Sequence, residues 1–520
     1  MSLTLSDPPE VTTAAPVNAA PVSVGPTSIA PASTAPASRR TPHRDRAIDL
    51  IRFGCLIVVV ILHSLMSAAV LGADGQVVPT VALSGTIGFT VASWFYQIMP
   101  LFFFIGGYAA ISGWRRTQAT GGTWADYIRA RLRRLVIPVA VLIGIAGLGL
   151  SIASELEVPT SLLAEASTRI GQPLWFLAVY VGLTSLVPLA VHFHERAPRR
   201  TIVALVGAVV GVDGVVALTG VTGFGYLNFL FVWPLIQQCG FFYADALHRR
   251  VRRWSAWTVM VSALVVLGGF VGLGVYSPNM LVNLNPPTGA LVLLGVAQMC
   301  VLRLSHARLH KIVSGSTWER ILTWGNTYGI QVYLWHMPIV ITLIGFLGFG
   351  AALLAGAPVG DGTFLAGILL PEIESSWWWL TRLPWLVTVM GVGWLLATGR
   401  SMVPFPGEEG LVRGGQLVAR VANDIPMRRN VRPAGESRVR PKTHRLRQRL
   451  SSSASRAIIA VASAMSGIAI ALLVGVAPLI WTLVSVAALV TSLVLAAGLK
   501  TQAPETAAVS LKRSGPIEVS

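Results

Sequence analysis

The sequence predicts an all-α polytopic membrane protein, whose chain crosses the bilayer many times. Hydrophobic residues make up 53% of its 520 residues and charged residues 12%, whereas about a quarter of the residues in a soluble domain are charged. The mean hydropathy is +0.66. Apolar runs of about twenty residues recur along the chain, and this is the length that an α-helix needs to cross the hydrocarbon core of a membrane.

Ten of the apolar runs predict spans within residues 45–400. Their approximate bounds are 47–71, 86–112, 135–153, 173–193, 201–219, 226–245, 256–276, 287–304, 329–354 and 377–398. A further apolar block, 457–499, is about twice as long as one crossing requires and has Gly475 and Pro478 near its centre. This block predicts two more spans joined by a tight turn. We therefore expect about twelve spans, a ten-helix core followed by a C-terminal transmembrane hairpin.

Three polar segments flank the predicted spans. Residues 1–44 are rich in Pro, Ala, Ser and Thr without any period, which predicts a disordered tail. Residues 401–456 form a strongly basic linker, for which we expect contact with anionic lipid headgroups, with docking of a partner as an alternative. Residues 500–520 form a second polar tail.

The basic residues are concentrated in alternate loops. Loops after even-numbered spans carry arginines, as in Arg129–Arg134, while the other loops carry acidic residues or no charge. The positive-inside rule then predicts that both termini are cytoplasmic. This distribution explains the net charge of +18 without a nucleic-acid partner. Many arginines beside few lysines are typical of GC-rich bacteria, so we expect a multi-pass protein of the bacterial inner membrane.

Two ionisable side chains share one face of the first predicted span. Arg52 and His63 are eleven positions apart, which corresponds to about three turns of an α-helix and roughly 16 Å. Arg52 lies near the start of the span and His63 deep within it, where a charge is costly unless it is paired or faces a wet cavity. We therefore expect this face to look into the protein and to mark a functional site.

This first span resembles the signature of the acyltransferase-3 family. That signature is an Arg followed, after ten intervening residues, by a His, with an Asp three residues before the Arg, as in Asp49, Arg52 and His63 here. The resemblance covers about residues 44–400. It implies an integral-membrane O-acyltransferase that transfers an acyl group, other than an amino-acyl group, from cytoplasmic acyl-CoA to a hydroxyl of a cell-envelope glycan or glycolipid.

Further stretches are similar to the family pattern. Tyr333–Pro338 resembles a late helix of the family, with Tyr-Leu-Trp-His and a following Pro. Met99–Tyr108 resembles a Phe-Phe run that ends in Ser-Gly, although Gly106 stands where the family has the serine. The stretch with Tyr127, Arg131, Arg134 and Pro138 resembles the Arg-rich start of the third helix, and Leu174–Leu177 is also family-like.

The resemblance implies roles for several residues. His63 is expected to act as the general base that takes the proton of the acceptor hydroxyl, with a satisfied core histidine as the alternative. Arg52, with Arg131 and Arg134, is expected to bind the phosphates of acetyl-CoA or another short-chain acyl-CoA; the basic linker is another candidate for these phosphates. Headgroup contact or a pair with Asp49 is the alternative for Arg52. Ordinary positive-inside charge explains Arg131 and Arg134 equally well.

Four more residues are candidates for substrate binding. His336 is one, although it can instead donate to a carbonyl freed by the following proline. Trp175 lies at the outer mouth of the fourth span and Arg382 beside a tryptophan cluster at the outer end of the tenth. Both suit a sugar or a lipid headgroup, whereas an interfacial aromatic belt explains the tryptophans without a ligand. Asp213 is the only acid deep within a span, so a partner is expected for it, and His63 is one candidate.

We expect no bound metal and no bound cofactor; acyl-CoA would be a substrate. The three cysteines stand alone within apolar runs, which indicates buried thiols. The competing function is a proton-coupled membrane transporter that uses His63, Asp213 and His336 as a relay, because titratable groups within a membrane also mark ion pathways. A scaffold that recruits partners through its basic linker would explain the linker but not the deep histidines.

Overall fold

The computed structural model describes residues 45–72, 75–247, 252–356, 362–399 and 442–497. The predicted tails, 1–44 and 500–520, and residues 401–441 of the predicted linker lie outside the described residues. Within the described ranges the chain forms fifteen α-helices, one 3₁₀ segment and one two-stranded antiparallel sheet.

The elements follow one another along the chain with short connections. The first eight helices are α1 (Arg46–Met66), α2 (Ile87–Tyr96), α3 (Met99–Ala119), α4 (Trp124–Glu155), α5 (Thr160–Gly171), α6 (Leu174–Arg196), α7 (Pro198–Thr219) and α8 (Val232–Ala246). The other helices are α9 (Arg253–Gly272), α10 (Gly289–Ile312), α11 (Ser316–Ala355), α12 (Gly362–Leu369), α13 (Ser376–Gly399), α14 (Lys442–Leu473) and α15 (Leu479–Ala497). Strands β1 (Ser67–Leu71) and β2 (Val77–Val81) follow α1, and the 3₁₀ segment Thr222–Leu230 precedes α8.

Eleven helical stretches among the described residues are long and apolar enough to cross a membrane. Two of them combine a short helix with a long one, α2 with α3 and α5 with α6. The others are α1, α4, α7, α9, α10, α11, α13, the part of α14 from Ala454 onward, and α15. The protein is therefore a multi-pass α-helical membrane protein, which confirms the predicted fold class.

The predicted sixth span, 226–245, takes a different form. Its first residues belong to the 3₁₀ segment, and α8 has 15 residues, about 22 Å, so the run is not one continuous helix of the usual crossing length. α8 packs directly on α3, where a Cβ added to Gly240 would overlap the carbonyl oxygen of Phe104. Trp233 and Phe241 of α8 are fully buried. The run begins beside Asp213, which binds Asn228, and ends beside Arg115 of α3, which pairs with Asp245.

The predicted first span, 47–71, was wrong at its C-terminal end. α1 ends at Met66, and the next five residues form β1. β1 pairs with β2 in a register that runs from Ser67–Val81 to Leu71–Val77. Hydrophobic composition over so few residues does not distinguish a strand from the last turn of a helix. The hairpin turn contains Gly75, whose φ is +76°, a value that glycine adopts without strain.

Polar contacts tie the starts of α1 and α11 together. Asp45 caps α1 by accepting hydrogen bonds from the backbone N–H groups of the first turn at 3.1 and 3.2 Å. The other oxygen of Asp45 lies 2.9 Å from Nε2 of His306 in α10. Arg46 forms an ion pair of 2.8 Å with Glu319 in α11. α1 and α11 therefore begin at the same end of the helical bundle and run in the same direction.

Two glycines allow α1 and α11 to approach closely. A Cβ added to Gly325 would lie 2.6 Å from the ring of Phe53, and one added to Gly329 would lie 2.9 Å from a methyl carbon of Leu56. Small residues at such contacts let the backbones of neighbouring membrane helices come together. Because the helices then continue side by side, residues ten or eleven positions further along each of them reach the same level.

α14 and α15 form an antiparallel helical hairpin. Residues 474–478 connect the helices and include Gly475, whose φ is +92°. α14 packs on α4 and α6, and α15 packs on α4. α14 buries a series of alanines, Ala457, Ala460, Ala464 and Ala471. The hairpin is therefore packed closely against the other helices and is not separated from them by a gap that lipid would fill.

Candidate active site

His63 in α1 and His336 in α11 form a direct pair, called the histidine pair below. Nδ1 of His63 lies 2.8 Å from Nε2 of His336, and the rings are inclined by only 16° with their centroids 5.0 Å apart. His336 is 1% exposed, whereas His63 is half-buried. The structure thus brings together the two deep histidines of the sequence, and one of them keeps part of its surface accessible.

The hydrogen bonds of the histidine pair assign the protons on its rings. Nδ1 of His336 is hydrogen-bonded to the carbonyl oxygen of Tyr333, and since a carbonyl only accepts, this nitrogen carries a hydrogen. Nε2 of a neutral His336 is then an acceptor, so Nδ1 of His63 donates to it. The remaining nitrogen of His63, Nε2, carries the lone pair. Within the described part of the chain no protein group is hydrogen-bonded to it.

Neighbouring helices brace the pair on both sides. The hydroxyl of Tyr333 donates to the carbonyl of Pro173, at the start of α6, at 2.9 Å. The indole N–H of Trp385 in α13 donates to the carbonyl of Ser64 at 3.1 Å, and Ser64 directly follows His63. The first bond holds α11 against α6, and the second holds α1 against α13. The relative position of the two imidazoles therefore depends on α6 and α13 as well as on α1 and α11.

A cleft extends from one end of the bundle towards the histidine pair. It encloses about 770 Å³ of empty space, its open mouth included. Its lining comes from α1, α3, α4, α6 and α11 and consists of Arg52, Phe53, Leu56, Phe102, Arg131, Arg134, Leu135, Phe176, Leu177, Tyr180, Gly325, Asn326, Ile330 and Tyr333. The cleft therefore has cationic groups at its mouth and apolar or aromatic walls further in.

Three arginines line the mouth of the cleft. Arg134 donates to the carbonyl of Asn326 at 2.9 Å, and the guanidinium of Arg131 lies 5.0 Å from the centre of the Tyr127 ring. Arg52 is half-buried, and among the described residues no acid lies within ion-pair distance of it. The structure thus brings together the arginines predicted to bind phosphate. Pairing with the acid one turn earlier does not occupy Arg52.

Phe102, Phe176 and Tyr333, called the aromatic layer below, are aromatic residues of the cleft lining. The ring of Phe176 lies 4.9 Å from that of Phe102 and 5.6 Å from that of Tyr333. Neither histidine lines the cleft, but Tyr333 precedes His336 by three residues, or nearly one helical turn. A molecule that enters past the arginines therefore reaches the aromatic layer, whose Tyr333 ring lies 5.6 Å from the ring of His336.

One protein family matches most of the chain. Its sequence model, described as an acyltransferase domain, matches residues 45–398. The chain belongs to the acyltransferase-3 family. It is a membrane acyltransferase, and this family does not favour the alternative of a proton-coupled transporter. The matched residues contain the histidine pair and the cleft and exclude α14 and α15. No match was found among curated proteins or solved structures.

Arg382 of this acyltransferase lies between two tryptophans of α13. Its guanidinium carbon is 4.4 Å from the ring centre of Trp378 and 5.6 Å from that of Trp385. Trp385 is the residue that donates to the carbonyl next to His63. No described carboxylate lies within ion-pair distance of Arg382. A positive charge between two aromatic faces therefore lies close to the α1 side of the histidine pair.

The other tryptophan candidates occupy different environments. Trp377 and Trp379 are 44% and 51% exposed, as residues of an aromatic belt would be, whereas Trp378 is 1% exposed. Trp175 is half-buried, and its ring lies 6.0 Å from that of Trp233. Trp175 does not line the cleft. Of these residues, Trp378 and Trp175 pack within the protein and only the other two present their rings outward.

Asp213 has its partners on elements other than α1 and α11. It accepts hydrogen bonds from the side chains of Asn228 and Tyr276, both at 2.7 Å, and from the backbone N–H of Gly289 at 2.8 Å. The expected partners of this acid therefore exist, but they do not include the histidine pair. Among the described residues no hydrogen bond connects Asp213 to either histidine. Asp213 instead joins α7 to the 3₁₀ segment and to the start of α10.

Several residues of the acyltransferase site were not singled out by the sequence. Tyr180 follows Phe176 by four residues and so lies on the same helical face, and a Cβ added to Gly106 would lie 3.6 Å from its ring. The ring of Tyr180 therefore lies beside Gly106, which stands where the family has the serine. Asn326 contributes its backbone carbonyl, which no side-chain pattern reveals.

Proposed function

We propose that this protein transfers a short acyl group, with acetyl as the first candidate, from cytoplasmic acyl-CoA to a hydroxyl of a cell-envelope glycan or glycolipid. The observation that carries the proposal is the histidine pair, whose hydrogen bonds leave Nε2 of His63 with a free lone pair. The same helix carries an arginine of the cleft mouth roughly 16 Å away. A base and a phosphate-binding group therefore lie on one helical face.

The donor would bind with its phosphates at the mouth of the cleft. Coenzyme A carries a diphosphate and a 3′-phosphate, and a guanidinium group presents several N–H donors in one plane to such oxygens. Arg52, Arg131 and Arg134 converge there, and Arg52 is not neutralised by a neighbouring acid. The pantetheine arm, which has no charge, would then follow the apolar walls inward.

The aromatic layer would have to open for the thioester to reach His63. The rings of Phe102, Phe176 and Tyr333 line the cleft, whereas neither histidine does. Before the donor enters, the same rings would keep bulk water on the cleft side away from the base.

In the chemical step His63 would act as general base and then as general acid. The proton of the acceptor hydroxyl moves to Nε2 of His63 while the oxygen forms a bond to the thioester carbonyl carbon. The carbon–sulfur bond breaks, and the proton on His63 passes to the departing thiolate, giving an ester and free coenzyme A. His336 accepts the hydrogen bond from His63, so it orients the base and stabilises the imidazolium that forms between the two proton transfers.

The acceptor would approach from the side of α13. Arg382 and its two tryptophans offer aromatic faces and N–H donors, which suit a sugar ring with its hydroxyl groups. Trp385 connects this group to the backbone beside His63. Donor and acceptor would therefore meet at the histidine pair from two different sides, with α1 common to both.

The decisive experiment uses the purified protein in detergent or nanodiscs with acetyl-CoA and an extract of envelope glycans and lipids. Release of free coenzyme A should accompany the appearance of an ester in the extract, detected by mass spectrometry. His63→Ala should abolish both, while the matched variant His192→Ala, at an exposed histidine outside the site, should leave both unchanged. Undiminished thioester cleavage in His63→Ala, or flux driven by a pH gradient without thioester cleavage, would overturn the proposal.

A further inference from the structure

The C-terminal hairpin lies outside the residues that match the acyltransferase family but contacts the elements that support the histidine pair. Its connecting turn is fastened to α5 by two hydrogen bonds. The backbone N–H groups of Val476 and Ala477 donate to the hydroxyl oxygen of Ser167 at 2.7 and 3.1 Å. Ser167 is 4% exposed, so these bonds are shielded from water and are correspondingly costly to lose.

The fit around this turn is tight. Gly475 has a φ of +92°, and a Cβ added to it would lie 2.5 Å from the hydroxyl of Ser167. One turn further along α5, a Cβ added to Gly171 would lie 3.0 Å from the carbonyl oxygen of Ala471 in α14. The C-terminal half of α5 is therefore held against the end of the hairpin at two places.

The chain from the end of α5 to Pro173, followed by three hydrogen bonds, connects α5 to the histidine pair. α5 ends at Gly171, and two residues later the carbonyl of Pro173 accepts the hydrogen bond of the Tyr333 hydroxyl. The carbonyl of Tyr333 in turn accepts from His336, which contacts His63. α5 also carries Arg169, paired with Glu165 at 2.6 Å.

We propose that the C-terminal hairpin is a positioning element of the acyl-transfer site. By fixing α5 it determines where Pro173 holds Tyr333, and hence how His336 is oriented towards His63. This inference rests on the proposed function for its kinetic consequences, but the positions of the two histidines are a structural matter that is measured separately. A hairpin that only stabilised the bundle would have no particular effect on these two side chains.

The test compares two serines of the full-length protein. Ser167→Ala removes the acceptor that links the hairpin to α5. Ser485→Ala is the matched control, because the hydroxyl of Ser485 donates to the carbonyl of Gly467 at 2.7 Å and so belongs to a buried bond within the hairpin itself. Ser167→Ala should lower kcat for coenzyme A release roughly tenfold or more, since misplaced reacting groups cost this much. The KM for acetyl-CoA should stay constant, because the arginines lie at the other end of the cleft. Ser485→Ala should retain the kcat of the wild type.

A second measurement does not depend on activity. Diethyl pyrocarbonate modifies the free nitrogen of an accessible imidazole, and mass spectrometry then gives the extent of modification at each histidine. Ser167→Ala should change the rate at His63 relative to exposed His192, and Ser485→Ala should not. If the wild type releases no coenzyme A but this labelling response is present, the proposed function fails and the positioning role stands. Equal labelling and equal kcat in the wild type and in Ser167→Ala, or equal losses in both serine variants, would overturn the positioning role.

Discussion

Nδ1 of His63 lies 2.8 Å from Nε2 of His336, although 273 positions separate them in the chain. Each ring nitrogen in this pair has a defined role, because His336 is anchored to the carbonyl of Tyr333. The arrangement leaves one nitrogen with a free lone pair, and the other three take part in hydrogen bonds. In catalytic triads, too, a hydrogen-bonded neighbour determines which nitrogen of the histidine carries the proton.

His336→Ala should lower kcat for coenzyme A release by about two orders of magnitude, the size expected when a general base loses its orientation. His336→Gln should retain more activity, because its side-chain oxygen can still accept from Nδ1 of His63. Steady-state kinetics with acetyl-CoA measures both. The double variant His63→Ala/His336→Ala should be no slower than His63→Ala alone, since residues that act as a unit are not additive. Additive losses would mean that the two histidines act separately.

Arg52→Gln and Arg131→Gln should each raise the KM for acetyl-CoA about tenfold, with little change in kcat. A factor of this size is expected when binding loses one charge-assisted hydrogen bond to phosphate. The exposed Arg116 does not line the cleft, so Arg116→Gln is the control for a change in surface charge. Dephospho-CoA thioesters identify which arginine binds the 3′-phosphate. The variant that has lost this contact should have the same KM for acetyl-dephospho-CoA as for acetyl-CoA. An equal rise of KM in all three variants would indicate nonspecific attraction of an anion.

Part of this site follows from the sequence and part does not. The shared face of Arg52 and His63 is set by the rise and rotation of an α-helix, so it is visible in one segment. The contact of His63 with His336 depends on how Gly325 and Gly329 let two distant helices approach, which no local period records. The hydrogen bond from Tyr333 to the carbonyl of Pro173 also joins two distant helices, so the sequence does not predict it.

The fold shows the same division between local and tertiary causes. Apolar composition predicted the membrane helices, but it extended the first span beyond Met66 into β1. At 226–245 it predicted one helix, whereas the chain forms the end of the 3₁₀ segment followed by α8. In both places the apolar pattern shows that the residues avoid water but does not distinguish between a helix, a strand and a 3₁₀ segment.

Asp213→Asn should destabilise the protein without impairing the chemical step. All three partners of this carboxylate donate hydrogen bonds, so an amide NH₂ in its place faces a donor and leaves buried groups unsatisfied, at a cost of about 1–3 kcal/mol. The midpoint of thermal unfolding should fall, while coenzyme A release per folded molecule should remain that of the wild type. A loss of activity with unchanged stability would instead support a proton relay through Asp213.

The stability contributed by Asp45 should depend on pH. Burial alone would raise the pKa of Asp45, but the hydrogen bond and charge of His306 and the backbone N–H groups of the first turn lower it below its ordinary value of 3.8. A carboxyl whose pKa is lower in the folded state stabilises that state above its unfolded pKa, and this stabilisation is lost as the pH falls through the folded-state value.

Asparagine also caps helices well, so Asp45→Asn removes mainly the charge. The difference in unfolding midpoint between the wild type and this variant should shrink from pH 6 towards pH 3; a constant difference would contradict the assignment.

Trp385→Phe and Arg382→Gln should impair use of the acceptor while sparing the donor. Trp385→Phe removes the indole N–H that binds the carbonyl beside His63, and Arg382→Gln removes the charge between the two indole rings. Acceptor ester, measured by mass spectrometry, should therefore fall, while slow hydrolysis of acetyl-CoA without acceptor should continue with an unchanged KM. The exposed Trp379 provides the control, because Trp379→Phe alters a ring that faces outward and has no bond to α1. Equal losses of ester in Trp379→Phe and Trp385→Phe would assign the tryptophans to the aromatic belt and place the acceptor elsewhere.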